Sequence, residues 1–173
     1  MTKSNTRYKI PHRRRLDQKT DYKTRLKLVT GGKARVVIRK SLENMSVQFV
    51  QFDKSGDRTL TGAHSEQLKE LGWNFGRGNL PAAYLTGLLA GKLAKAKGVN
   101  EAVLDMGTQT STNGSRIYAA LKGAVDSGVK IPHATDVMPD EKRISGHHIQ
   151  GKQNIFFPSN GNFVFDNPVE NIV

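Results

Sequence analysis

The sequence predicts a layered α/β domain with a mixed sheet, preceded by a basic extended arm and followed by an irregular tail. Three observations predict it. Between residues 35 and 127 the segments run strand, strand, strand, helix, strand, helix. The first 40 residues hold 14 of the 27 Lys and Arg but only two of the 15 Asp and Glu, so the whole net charge of +12 lies there and the rest is balanced. The last stretch mixes Asn, Gly and Pro with four of the seven Phe and shows no period. At 173 residues this is one domain with extensions. The expected division is a basic arm and helix (1–33), an α/β core (34–135) and a C-terminal extension (136–173).

Residues 1–19 read as extended, since Pro11 pushes Ile10 out of the helical region. Residues 20–30 (TDYKTRLKLVT) read as a helix. Thr20 or Asp21 caps it, and Tyr22, Leu26 and Val29 recur at i, i+4 and i+7 as a docking face. Gly31-Gly32 stops it, and Lys19, Lys23, Arg25 and Lys27 form the opposite face, open to an anion. Residues 35–41 and 45–53 are rich in β-branched and aromatic side chains and read as strands, with a third near 58–63. Ser65 is expected to cap a short helix over 66–71 that ends at Gly72. A long helix spans 80–97, with Asn79 as cap, Pro81 in its first turn and Gly98 as stop. Its small residues Ala83, Gly87, Gly91 and Ala94 predict close packing on the sheet. Residues 102–106 (AVLDM) read as a buried strand, 107–114 as a polar loop, and 115–127 as a helix with Ile117, Ala120, Leu121 and Ala124 inward. Residues 129–131 suggest a last short strand, and 140–146 a helical turn. Phe156, Phe157, Phe163 and Phe165 lie in a tail too irregular for its own core, and are expected either to fold back on the body or, the favoured reading, to dock on a neighbour.

Several function classes drop out. There is no cysteine, which removes disulfides, thiol nucleophiles and Cys-type zinc sites. No run approaches about 18 apolar residues, so no membrane span is expected. The start lacks the apolar stretch of a signal peptide, which points to the cytosol. Asp53, Asp57, Glu66 and Asp105 suggest a metal-dependent nuclease only superficially. The first two suit a hairpin turn, Glu66 a helix start, and Asp105 alone is too few for Mg²⁺. His147-His148 has no third ligand at zinc spacing, and Gly76-Arg77-Gly78 lacks the third glycine of a dinucleotide fingerprint. No enzyme activity, cofactor, metal or small-molecule substrate is expected.

The arm is nearly single-sign, so it repels itself unless an anion neutralises it. It mixes arginine with planar and amide groups (Arg7, Tyr8, His12, Arg13, Arg14, Arg15, Gln18), which suits phosphate forks and base stacking better than plain solvation. A polyanion is the expected partner. Nucleic acid outranks a membrane surface because no stretch has an aliphatic face long enough to insert.

The order of segments resembles a ribosomal family. The segments are RYKIPHRRR (7–15), TDYKTRLKL (20–28), RVVIRKS (35–41), GDRTLTGAHS (56–65), NLPAAYLTGLLAGKLAKAKGV (79–99), AVLDMG (102–107), GSRIYAALKGAVDSGVKIPH (114–133) and MPDEKRISGHHI (138–149). Together they resemble the large-subunit ribosomal protein family L eighteen in its long archaeal form, whose eukaryotic counterpart is L five. The tail from about residue 150 matches no pattern of that family. The resemblance implies a three-layer α/β fold and a structural role in the cytoplasmic ribosome, without enzyme activity. It implies 5S ribosomal RNA as partner, held to the large subunit at the central protuberance, with further contacts to 23S ribosomal RNA and neighbouring proteins. The second reading is a general RNA chaperone or assembly factor with a basic arm.

An RNA binder of this kind needs phosphate neutralisers, stacking groups and donors for 2′-hydroxyls. The candidate neutralisers are Arg7, Lys9, Arg13, Arg14, Arg15 and Lys19, with Lys23, Arg25 and Lys27 on the helix. Tyr8, His12 and Tyr22 are candidate stackers, although Tyr22 fits the inner face of its own helix equally well. On the body, Arg35, Arg39, Lys40, Ser41, Asn44 and Gln48 are expected on a polar sheet face and its edge. Arg58, Thr59 and His64 follow in the third strand, where His64 alone is more often structural. The loop contributes Thr108 and Asn113 and leads into Ser115 and Arg116, a helix start with an adjacent arginine that suits phosphate. Simple capping by Asn113 or Ser115 is the alternative there.

Overall fold

A computed structural model describes residues 9–147. Three strands form an antiparallel meander: β1 (Ala34–Lys40), β2 (Met45–Asp53) and β3 (Gly56–His64). The fourth, β4 (Ala102–Asp105), lies parallel to β1, and the sheet order is β3-β2-β1-β4. Alternation along the strands sorts the side chains. Val36, Ile38, Met45, Val47 and Phe49 are fully buried on one face, with Val36 opposite Phe49 and Ile38 opposite Val47. Val50 is buried too, opposite Arg35 of β1, at the point where the pairing of β2 with β3 shifts register.

The apolar face is covered by the helices α3 (Leu80–Ala96) and α4 (Arg116–Asp126). Asn79 caps α3 by accepting from the Ala82 amide, and Pro81 sits in its first turn. The small residues act differently from the sequence expectation. Gly87 faces the Ala120 carbonyl and Gly91 faces Ser127, so this part of the stripe meets α4 and its end, not the sheet. Gly123 of α4 reciprocates against the Tyr84 carbonyl. Backbones approach this closely only where no Cβ intervenes, and a methyl at Gly87 or Gly123 would overlap those carbonyls.

The other sheet face is polar and carries the arm. Residues 9–19 are not wholly extended: α1 (Arg13–Leu16) forms one turn, and Gln18, at φ 53°, reverses the chain behind it. The helix α2 (Tyr22–Thr30) follows, capped by Asp21, whose carboxylate accepts from the amides of Lys23 and Thr24. It is anchored by Arg25 to Asp57 of β3, and just past its end Gln51 of β2 donates to the Gly32 carbonyl. Its docking stripe is therefore shifted. Leu26 is 67% exposed, while Tyr22, Arg25, Leu28 and Val29 are half-buried. The surface beneath is polar, so an arginine that finds a carboxylate turns inward in place of a leucine. The result is three layers: α2 with the arm, the sheet, and the α3–α4 pair.

Smaller corrections follow from local hydrogen bonding. The turn at Ser65–Lys69 is a 3₁₀ helix capped by His64, not by Ser65. His64 accepts from the Glu66 amide, and Gln67 accepts from the His64 amide in return. Ser65 is buried instead, accepting from the Met45 amide and donating to Asn44. Residues 129–131 form one parallel bridge, Glu101 to Lys130, in place of a strand. A short 3₁₀ turn (Thr135–Val137) and α5 (Glu141–Ile144) close the described residues. No helix among them is long and apolar enough to cross a membrane. His148 and the four late phenylalanines lie outside the described residues.

Candidate nucleic-acid interface

The arm and α2 display their cations outward. Lys9, Arg13, Arg14, Arg15, Lys19, Lys23 and Lys27 are all exposed. Among the described residues Arg14 is tethered through Nε to Thr20 Oγ1 at 2.9 Å, and Lys19 to Asp17 at 3.5 Å. Arg13, Arg15 and Lys27 have no carboxylate partner among the described residues. The rings of His12 and Tyr22 pack at 5.3 Å, tilted by 51°. Arg7 and Tyr8 lie outside the described residues.

Where α1 turns into α2, a cleft of about 330 Å³ opens between Arg15, Gln18, Thr20, Tyr22, Lys23 and Thr108. It joins the arm to the β4–α4 loop, two regions about 90 residues apart that the sequence offered as separate candidates. A smaller cavity of about 110 Å³ lies next to it, bordered by Arg14, Lys19, Arg25 and Arg39 with Asp105.

Beneath α2 runs a chain of five charges. Arg25 Nη2 lies 2.7 Å from Asp57 Oδ2, and Arg35 Nη2 lies at the same distance from the same oxygen. Arg35 Nη1 donates to Asp105 Oδ2 at 2.9 Å. Arg39 donates to Asp105 Oδ1 at 3.0 Å and to the Asp105 carbonyl at 2.6 Å. Burial opposes ionisation of Asp57, but hydrogen bonds and charge from Arg35 and Arg25 outweigh it and hold its carboxyl below the usual range.

This network corrects three expectations. Arg35 was expected on an accessible polar face, yet its side chain is 2% exposed and locked between two carboxylates. Arg25 is half-committed to Asp57, and Arg39, 40% exposed, to Asp105. Asp57 and Asp105 are the residues that sequence reading undervalued. The signal was available: a carboxylate inside an apolar strand demands a buried partner, and Arg35 and Arg39 share one face of β1.

The other body candidates divide in the same way. Ser41 and Asn44 close the β1–β2 turn, with Ser41 Oγ accepting from the Asn44 amide at 2.9 Å. His64 is a cap, and Arg116 donates through Nη1 to the Gly78 carbonyl at 2.7 Å, so its guanidinium braces the loop before α3. Ser115 stands at the cap position of α4 without a side-chain capping bond. Lys40, Gln48, Arg58, Thr59, Thr108 and Asn113 are exposed.

Cations on the arm and α2 and exposed polar side chains on the α/β body, with no cluster of three or more metal-ligating side chains among the described residues, define a polyanion-binding scaffold. The family model describing ribosomal large subunit proteins 60S L5 and 50S L18 matches residues 6–101 and 91–134. Large ribosomal subunit protein uL18 of Methanothermobacter thermautotrophicus is 50% identical over 143 residues, 83% of this chain and 74% of that protein. The protein of that name from Korarchaeum cryptofilum is 51% identical over 143 residues, 83% of this chain and 73% of its own. That of Haloarcula marismortui is 50% identical over 143 residues, 83% of this chain and 76% of its own. The chain belongs to this family of large-subunit ribosomal proteins, in its archaeal form. It is thus a structural component of the cytoplasmic ribosome and not an enzyme.

Proposed function

We propose that the chain binds 5S ribosomal RNA and helps attach it to the large subunit at the central protuberance, with further contacts to 23S ribosomal RNA and neighbouring proteins. The observation that supports this most directly is the surface of seven exposed Lys and Arg on the arm and α2, in a chain whose residues 41–173 carry no net charge. Phosphate neutralisation supplies affinity without sequence information. Exposed polar groups at Lys40, Gln48, Arg58, Thr59, Thr108 and Asn113 supply discrimination. In this division residues 1–33 bind, 34–135 discriminate, and 136–173 meet neighbouring components. The test is a titration of the full chain with 5S RNA and with a size-matched unrelated RNA at several salt concentrations. Tight, selective binding is expected. A specificity ratio near one rejects the 5S role and favours the chaperone reading.

A further inference from the structure

The cleft between Arg15 and Thr108 is more than a basic surface. Three of its features are unlike the rest of the arm. Tyr22 lines it and is held at the wall by the His12 ring at 5.3 Å, so one aromatic face is preset. Gln18 lines it from a left-handed backbone conformation, φ 53°, which a non-glycine residue adopts only when the surroundings impose it. Thr108, an exposed residue from a loop far away in sequence, lines it too.

We propose that this cleft takes a single unpaired nucleotide of ribosomal RNA, its base stacked on Tyr22, its edge met by Gln18 and Thr108, and its phosphate drawn to Arg15 and Lys23. The inference rests on the RNA-binding function proposed above and deepens it. At about 330 Å³ the cleft is at the small end of ligand sites, too small for a duplex and suited to one splayed-out residue. Asp21 also borders it, but its carboxylate is engaged by the Thr24 hydroxyl and amide and the Lys23 amide, and so is already committed to the cap of α2. The amide of Gln18 offers donors and an acceptor together, the pairing that base edges require. The adjoining cavity adds the exposed Arg14 and Lys19 to that side, while its Arg25 and Arg39 are paired with Asp57 and Asp105.

The experiment uses the full chain and 5S ribosomal RNA, with Tyr22→Phe, Tyr22→Leu and Thr108→Trp compared with the parent over several salt concentrations. Thermal melts first establish that each variant is folded, and Thr108, exposed in a loop, tolerates a larger side chain. Tyr22→Phe keeps the aromatic face and is expected to bind as the parent does. Tyr22→Leu removes the stack, and Thr108→Trp fills the cleft. Each is expected to weaken binding roughly 5- to 100-fold. Tyr22→Leu leaves Arg15 and Lys23 in place and should keep the salt slope, whereas Thr108→Trp excludes the nucleotide with its phosphate and should make the slope shallower by about one contact. Parental affinity in either of these two variants overturns the proposal, as does a loss in Tyr22→Leu accompanied by a shallower salt slope. Failure of the parent itself to prefer 5S RNA overturns the functional proposal, and this one with it.

Discussion

Asp57 sits between the guanidinium groups of Arg25 and Arg35, and Asp105 between those of Arg35 and Arg39. Removing one carboxylate leaves the buried Arg35 guanidinium with a single counter-charge, and its Nε has no hydrogen-bond partner among the described residues. Asp57→Asn is expected to cost about 2–3 kcal/mol of stability at neutral pH, read from urea unfolding. The pH dependence has a definite sign. The folded pKa of Asp57 is depressed, so its contribution is present above the unfolded value of about 4 and lost as pH falls through the folded pKa. The parent should therefore lose stability on acidification below about pH 4, and Asp57→Asn should lose less; equal acid sensitivity would contradict this. Arg14 stands at the other extreme, exposed and hydrogen-bonded to Thr20. Arg14→Ala is expected to weaken RNA binding for every RNA tested and leave the order of preference intact.

Helix pairs show how a missing side chain shapes an element. Gly87 and Gly123 let α3 and α4 approach until the backbone of each meets the other. Gly87→Ala is expected to destabilise by about 1–3 kcal/mol, lowering the melting temperature, because the obstructing atom is the Ala120 carbonyl and cannot rotate away. Legibility at this scale follows locality. The second strand was readable to its ends (45–53) from alternation, and the long helix to within a residue from Asn79, Pro81 and Gly98. The stripe Gly87-Gly91 was visible but its partner was not, since smallness says that something approaches closely and not what. The i, i+4, i+7 pattern misplaced Leu26 because it assumed an apolar surface under α2, where Asp57 stands instead. Similarly, His64 caps the 3₁₀ turn because Ser65, the better cap by type, is used by the Met45 amide and Asn44.

Over the whole molecule, affinity and discrimination are expected to separate in space. Residues 1–19 contain seven Lys and Arg, and if each meets a phosphate the log–log salt slope of binding contains a share of about −5 to −6. Deleting residues 1–19 should flatten the measured slope by about that amount, whereas an unchanged slope would move the main contact surface to the body. Changes at Gln48 or Asn113, exposed on the body, should alter the preference among RNAs more than the slope.

Charge segregation, element order and the lack of thiol or paired-carboxylate chemistry follow from residue identity and spacing along the chain, and they were readable without coordinates. Which arginines stay free was not. Arg13 and Arg35 are the same residue type within one basic run, yet one is open to solvent and the other is 2% exposed between Asp57 and Asp105. The difference arises because ion pairing and desolvation depend on contacts between strands that are remote in the chain. The fold also brings Thr108 to the cleft beside Tyr22, through the close approach of α2 to the β4–α4 loop. Local spacing carries no information about either.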